Sequence, residues 1–515
     1  MFPFAASWDT CKERNEAMKP IVTALEMRQS EQRLFDSGVP SISVMERAAL
    51  RLTEALVQKL GDTQKTCIFA CGAGGNGGDG YAAARLFNKK GGRAIVVEVY
   101  PPKSADAIKN AELSKKSVFA YVGLSAVDTL PLPDAWVDCV FGTGLTRDID
   151  ENVKGLIQRI ESDRRKGALV VSCDIPSGLH SDTGEIMGAC VQADLTVTFE
   201  WMKRGHLLGE GKDVCGEIRV ETIGVKEEYL SPSCAKMIEK TDIKRILPKR
   251  KHSAHKNDFG HLLVVAGSLG MAGAAAMCAK SALRTGAGLV TIACPASIVP
   301  ILQTLVPEAM CIPLSERNGA IADSAKDEIL SALKGKTAVC VGPGLSRSAS
   351  KIVLEEILKY PVPVVIDADA INNISENPYL IKLLNQNHAL TPHPGEAKRL
   401  LGTLSNDAVE NAVALNRFGA NTLLKGATTV CVKGGGVLFS ASGNSGMAKG
   451  GSGDVLTGIV GALISMGADI QDALWLGSEL HKIAGDFAKE KCGEYSMLPT
   501  DTINCIKDAY EYIFT

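Results

Sequence analysis

Asn444-Ser445-Gly446-Met447-Ala448-Lys449-Gly450-Gly451-Ser452-Gly453-Asp454-Val455-Leu456-Thr457-Gly458 is a glycine-rich turn that runs into an apolar helical pattern, with one acid at the junction. Gly450, Gly451 and Gly453 allow tight bends and close approach of a ligand to the backbone. The helix that follows offers free N–H groups and the positive end of its dipole to an anion. Asp454 then stands beside that anion site, where a proton acceptor meets a phosphoryl group. A glycine-bearing loop with Asp454 as a plain N-cap is the alternative reading.

Companion motifs lie upstream. Val341-Gly342-Pro343-Gly344-Leu345, Asp367-Ala368-Asp369-Ala370-Ile371-Asn372 and Thr391-Pro392-His393-Pro394-Gly395-Glu396 each follow an apolar run. Leu424-Lys425-Gly426-Ala427-Thr428-Thr429 brings an ammonium and backbone N–H groups to a nucleotide. His393 is held between two prolines, with a surface histidine as the plain alternative. Asp367 and Asp369 either pair or point to opposite faces of a strand end. Strands are expected over 261–266, 288–294, 337–341, 362–366, 388–391 and 421–425, with a hairpin over 429–440 turning at Gly434-Gly435-Gly436. The alanines of 271–285, including Ala274, serve close packing, ligand approach or simple helix propensity.

The first half has its own alternation. Strands are expected over 66–71, 93–100, 136–141, 168–173, 194–199 and 217–225, with helices over 81–90 and 153–164. Such a pattern predicts a mainly parallel sheet covered on both faces, with ligands at the carboxyl ends of the strands. Residues 226–257 break the rhythm with Lys, Glu, Ser and Pro, including Leu247-Pro248-Lys249. At 515 residues the chain exceeds one core, and a boundary near 240 divides it into 1–240 and 241–515. The halves share an α/β style but no aligned repeat, so two different domains are expected.

Composition excludes several classes. Hydrophobic residues are 45% and charged residues 22%, with a net charge of −2 and no like-charge block suited to nucleic acid or an anionic membrane. Lys249-Arg250-Lys251-His252 is too short to change that. No apolar run reaches membrane-spanning length. Met1-Phe2-Pro3-Phe4-Ala5-Ala6 lacks the basic lead of a signal peptide, and the first 25 or so residues read as a tail. None of the 15 cysteines forms a Cys-x-x-Cys pair, and many sit in apolar runs, so buried thiols and a cytoplasmic location are expected.

Gly72-Ala73-Gly74-Gly75-Asn76-Gly77-Gly78-Asp79-Gly80 holds a formal Gly-x-Gly-x-x-Gly match, and Glu98 stands where a ribose-binding acid would. Asp79, however, places negative charge where a pyrophosphate should sit. Asn76 and Asp79 suit a cation or a polar ligand better. Asp138-Cys139-Val140-Phe141-Gly142-Thr143-Gly144 and Asp174-Ile175-Pro176-Ser177-Gly178 end two more strands with a carboxylate. Oxygens of Asn76, Asp138 and Ser177 suit a hard cation. Taken singly, each Asp also fits a loop-capping role.

Together, 71–85, 138–145, 174–178 and 194–199 resemble the YjeF N-terminal family, the NAD(P)H-hydrate epimerases, over 24–225. The resemblance implies a Rossmann-like three-layer sandwich with Asp174 as catalytic acid/base. It implies K⁺ on Asn76, Asp138 and Ser177. Substrate contacts fall on Gly75, Asn76, Gly77, Gly78 and Asp79, on Gly142, Thr143, Gly144, Leu145, Thr146, Arg147 and Asp148, and on Asp174 itself. Gly75 departs from the family, which usually has Asn there. The second half, from His255-Lys256-Asn257-Asp258-Phe259-Gly260 to about residue 498, resembles the ribokinase-like YjeF C-terminal family, the ADP-dependent NAD(P)H-hydrate dehydratases. That likeness places substrate on Ala274, Gly344, His393 and Asp454, and nucleotide on Lys425, Gly426, Ala427, Thr428, Thr429 and Gly453.

Both families in one polypeptide resemble the bifunctional hydrate-repair enzymes. The implied substrates are NADH and NADPH hydrates and ADP. The dehydratase acts on the S form, with ADP and Mg²⁺ giving AMP and phosphate, and the epimerase interconverts R and S. A homo-oligomer is implied as well. The rivals are a ribokinase-like small-molecule kinase with a nucleotide-binding N-terminal domain, a non-catalytic nucleotide sensor, and a conventional dehydrogenase.

Overall fold

Alternate residues of the strand Thr66–Cys71 enter different apolar clusters: Cys67, Phe69 and Cys71 one, Ile68 and Ala70 another. A strand apolar on both faces must be covered on both sides. The helices Ser41–Leu60 and Gly75–Lys89 supply the first cluster with Leu52, Leu56, Tyr81 and Phe87. The helix Glu151–Arg165 supplies the second with Val153, Leu156 and Ile160. The result is the expected three-layer sandwich.

The computed structural model describes residues 18–247 and 250–515, which fall into two compact units, Pro20–Cys234 and Ala235–Thr515 with residues 18 and 19. The apolar N-terminal hexapeptide and Pro248-Lys249 discussed above lie outside the described residues. In the first unit seven parallel strands run in the order Ala120–Gly123, Arg93–Glu98, Thr66–Cys71, Ala135–Cys139, Leu169–Cys173, Leu195–Phe199, Glu217–Glu221. The order reverses between Thr66–Cys71 and Ala135–Cys139, so a crevice opens where the glycine run and the loop after Cys139 begin.

Three expectations need correction here. Residues 19–22 are no tail: they form a strand, with Val22 opposite Lys203, and the helix Ala24–Asp36 follows. The glycine run is half helix, because helix begins at Gly75 rather than 81. The strand read over 217–225 stops at Glu221, since the Glu200 carboxylate takes the N–H groups of Ile223, Gly224 and Val225 at 2.9, 2.9 and 3.0 Å.

In the second unit the strands run Met310–Leu314, Leu289–Pro295, His261–Val265, Ala338–Val341, Val364–Ile366, His388–Leu390, Asn421–Leu424, then the hairpin Thr429–Lys433 and Gly436–Ser440, and Ala235–Met237. The first seven are parallel and the hairpin antiparallel. The order reverses between His261–Val265 and Ala338–Val341. The helices Ala272–Thr285, Ser452–Ser465, Ile470–Cys492 and Pro499–Phe514 share one core with this sheet. A Cβ on Gly458 would lie 2.0 Å from the Cys278 carbonyl oxygen, so the alanine-rich helix serves close packing. No described helix is long and apolar enough to cross a membrane.

Candidate active sites

In the first unit Asp174 follows the strand Leu169–Cys173 with φ 63, a left-handed conformation that costs a non-glycine residue and marks functional positions. Two hydrogen bonds hold it there. Its N–H donates to Val197 O at 2.8 Å, and its carbonyl faces His206 Nε2 at 2.9 Å. His206 Nδ1 accepts the Lys203 N–H, which leaves the proton on Nε2 to donate to that carbonyl. Burial and the Lys203 charge push His206 down to about 4, so it is neutral. Lys203, fully buried, gives its ammonium protons to Asp174 Oδ1, to Thr198 Oγ1 at 2.9 Å and to Phe199 O at 3.2 Å. Burial pushes Asp174 up, but Lys203 outweighs it and holds the carboxyl below its ordinary range. Among the described residues every hydrogen bond to the carboxylate engages Oδ1, which leaves Oδ2 for a ligand.

Asp79, in the first turns of Gly75–Lys89, is pushed the other way. Burial, then the charges of Asp174 and Glu31, raise it well above the carboxylate range. Asn76, Asp138 and Ser177 gather around the Phe141 backbone. Asn76 Nδ2 donates to Phe141 O at 2.9 Å, Ser177 Oγ lies 2.8 Å from Phe141 N, and Ser177 Oγ and N donate to Asp138 at 2.5 and 2.8 Å. Gly142 abuts Asn76, so both predicted loops border one crevice. Thr143 O accepts from Ser181 Oγ at 3.2 Å, and Thr146, Arg147 and Asp148 are exposed. Leu145 differs: its side chain joins the apolar core beneath the loop.

The second site forms where helix Ser452–Ser465 begins. Its N-cap is Gly451 at φ 103, so Asp454 is not the N-cap. Its carboxylate has no hydrogen-bond partner among the described residues, and burial, then the charge of Asp367, raise it to about 7. Lys449 anchors the turn, donating to the carbonyls of Tyr495 at 2.8 Å and Met497 at 2.5 Å. Lys425 Nζ lies 2.6 Å from Asp367 Oδ1 and 3.8 Å from Glu396 Oε2, and a Cβ on Gly453 would sit 3.3 Å from it. Thr457 Oγ1 donates to Asp367 Oδ2 at 2.7 Å. Asp367 and Asp369 do diverge: Asp369 instead accepts the Ser346 N–H at 2.9 Å. Both add negative charge around Asp454.

His393 caps the helix Pro394–Leu401 through a 3.0 Å bond from Gly395 N to Nδ1, and its other nitrogen lies 3.4 Å from Glu396 Oε1. Burial and Lys425 lower its pKa, and its side chain stays half exposed. Gly344 has φ 59, and a Cβ there would lie 2.9 Å from Ala274 Cβ, so these two substrate candidates face each other. Of 425–429, Gly426 and Ala427 are exposed, whereas Thr428 and Thr429 are buried.

Glu31, Lys203, His206 and Glu396 were not singled out by sequence. Only Glu396 left a local trace, since His393 and Glu396 have capping-box spacing.

Residues 262–508 match the family model described as NAD(P)H-hydrate dehydratase, and residues 41–205 that described as YjeF-related protein N-terminus. The bifunctional NAD(P)H-hydrate repair enzyme of Coxiella burnetii is 34% identical over 492 residues, 92% of this chain and 96% of that protein. The enzyme of the same name from Moorella thermoacetica is 36% identical over 511 residues, 94% and 95% of the two chains. A solved ADP/ATP-dependent NAD(P)H-hydrate dehydratase from Bacillus subtilis, co-crystallized with ATP/Mg²⁺, is 24% identical with a TM-score of 0.46, covering 53% of this chain and 97% of that one.

Proposed function

The chain belongs to the bifunctional NAD(P)H-hydrate repair enzymes, and from that premise we propose that residues 1–240 epimerise the hydrates and residues 241–515 dehydrate the S form. The observation that carries the dehydratase reading is Asp454, a carboxylate without a hydrogen-bond partner among the described residues, one turn into a helix that opens on a glycine bend. Hydroxide leaves carbon poorly, and phosphate leaves well. Asp454 takes the hydroxyl proton while the amides of 450–453 hold the transferring phosphoryl group. Phosphate then departs with the C–O bonding pair, the neighbouring ring carbon gives up a proton, and the double bond returns. Gly426, Ala427 and the Lys425 ammonium border the nucleotide. Asp367, Glu396 and Asp454 surround Lys425, and Asp369 adds its charge at Asp454, a carboxylate excess that fits a nucleotide arriving with Mg²⁺. The ion supplies neutralisation of phosphate charge.

For the epimerase, Asp174 is the proton acceptor, ionised because Lys203 holds it so. One buried carboxylate and neutral oxygens at Asn76, Asp138 and Ser177 fit K⁺, which supplies charge that orders these loops. Self-association into a homo-oligomer belongs to the proposal on family grounds. A cytoplasmic location is supported by the described cysteines, all free.

Incubation with mixed R and S hydrates, Mg²⁺, K⁺ and ADP should return NAD(P)H absorbance from both epimers. A stable phosphorylated product instead would favour the kinase reading, and no turnover with any nucleotide would end the proposal.

Gly75 gives a separate test. It is exposed, and a Cβ there meets nothing within 4 Å. Gly75→Asn restores the usual family residue without a clash. Adding one hydrogen bond, worth about 0.5–1.5 kcal/mol, should lower the epimerase KM by about two- to tenfold. An unchanged KM would show that position 75 does not touch substrate, and a raised one that the added amide obstructs it.

A further inference from the structure

The helix Ala24–Asp36 buries Ala24, Met27, Ser30 and Leu34, and Glu31 lies four residues beyond Met27 and three before Leu34. An acid on that stripe is costly unless it has work to do. The helix is placed firmly. Val22 pairs with Lys203 in the preceding strand, the Ala24 N–H donates to Asp182 Oδ1 at 2.7 Å, and Thr23 with Glu26 closes a capping box. These contacts carry Glu31 to the Asp174 site. The charges that act on it are those of Lys203, Asp174 and Arg28 on its own helix, and its own charge acts on Asp79 of the helix Gly75–Lys89. The Tyr229 carbonyl engages the same helix beside Glu31, accepting from Ser30 Oγ at 3.2 Å and from the Arg33 guanidinium. Glu31 is partly buried and its carboxylate has no hydrogen-bond partner among the described residues. It also lies outside the segment matched by the N-terminal family model, residues 41–205.

Inversion of a hydrated carbon needs two proton transfers, one to the oxygen that leaves and one from the water that enters. Asp174 is tied to Lys203 through Oδ1 and can serve one of them with Oδ2. Resting on the epimerase reading above, we propose that Glu31 is a further catalytic residue of the N-terminal site, the acid that serves the other. The C–O bond of the hydrate breaks as the ring nitrogen pushes in its lone pair, and the Glu31 carboxyl protonates the oxygen, which leaves as water. A second water adds to the opposite face of the resulting iminium and gives its proton to Asp174. Exchange with solvent returns one proton to Glu31 and removes one from Asp174. Burial, opposed by Lys203 and reinforced by Asp174, raises Glu31 to about 7, which suits this exchange.

The test follows R to S conversion by the full-length protein with K⁺ and without nucleotide, so the dehydratase stays silent, with the uncatalysed rate subtracted. Wild type should lose rate above pH about 7, as Glu31 gives up the proton it must donate. Glu31→Gln should slow conversion about 10²- to 10³-fold with little change in KM, and its alkaline limb should flatten. Glu31→Asp should recover at least about tenfold of that loss and restore a limb. Retention of most activity by Glu31→Gln, with the limb in place, overturns the assignment. A slow Glu31→Asp that keeps the wild-type limb does the same, even where Glu31→Gln fails to fold. A wild-type protein without epimerase activity would instead fail the underlying reading.

Discussion

Asp454→Asn is expected to lower nucleotide-dependent dehydration of the S hydrate about 10²- to 10⁴-fold while R/S interconversion continues at the wild-type rate. The substitution keeps the size and the helix N-terminus and removes only the proton acceptor. That change corresponds to about 3–5 kcal/mol of barrier, the scale of one positioned general base. Wild-type dehydration should rise with pH through about 7, because the carboxylate must be ionised to accept a proton and burial keeps it protonated below that point. Stability should move the opposite way. Asp454 has its folded pKa raised from 3.8 to about 7, so the folded state binds the extra proton in that interval and wild type loses stability as pH climbs through it. Asp454→Asn has no such proton to lose and should melt above wild type at pH 8 and alongside it at pH 3. Full repair activity in the variant would remove Asp454 from the mechanism.

Buried parallel strands were legible because each is an unbroken apolar run between glycine-bearing loops; 66–71 was read with the bounds the structure has. The helix Ile470–Cys492 was not. It buries Glu479, His481 and Lys482 alongside Leu474, Trp475 and Leu480, so its polar residues blur the helical period. The glycine turn betrayed the second site, yet its charge partners did not. Lys425 and Asp367 are 58 residues apart, and the undecided geometry of Asp367 and Asp369 followed from a helix, Ala368–Glu376, that begins directly after the strand end. Lys203 and His206 carried no signal at all. They become site residues only because a two-residue strand brings them under Asp174, 29 residues earlier in the case of Lys203.

That long-range pair makes the second large effect a double one. Asp174→Ala should reduce R/S interconversion about 10²- to 10⁴-fold and leave dehydration of pure S hydrate intact. It should also strip the counter-ion from Lys203, whose ammonium is fully buried. Breaking one side of a buried ion pair costs about 3–5 kcal/mol, so unfolding of the N-terminal unit should shift to markedly lower temperature. In wild type, Asp174 is depressed on folding, so its contribution to stability is present above the ordinary value of 3.8 and is lost as pH falls through the lowered folded pKa. Adding Lys203→Met to Asp174→Ala removes the stranded charge and should return most of the stability without returning epimerisation. The double variant thereby separates chemistry from folding. Surviving turnover of R hydrate in a stably folded double variant would mean that the proton moves elsewhere, and a double variant as unstable as the single would mean that the stranded Lys203 ammonium is not what destabilises Asp174→Ala.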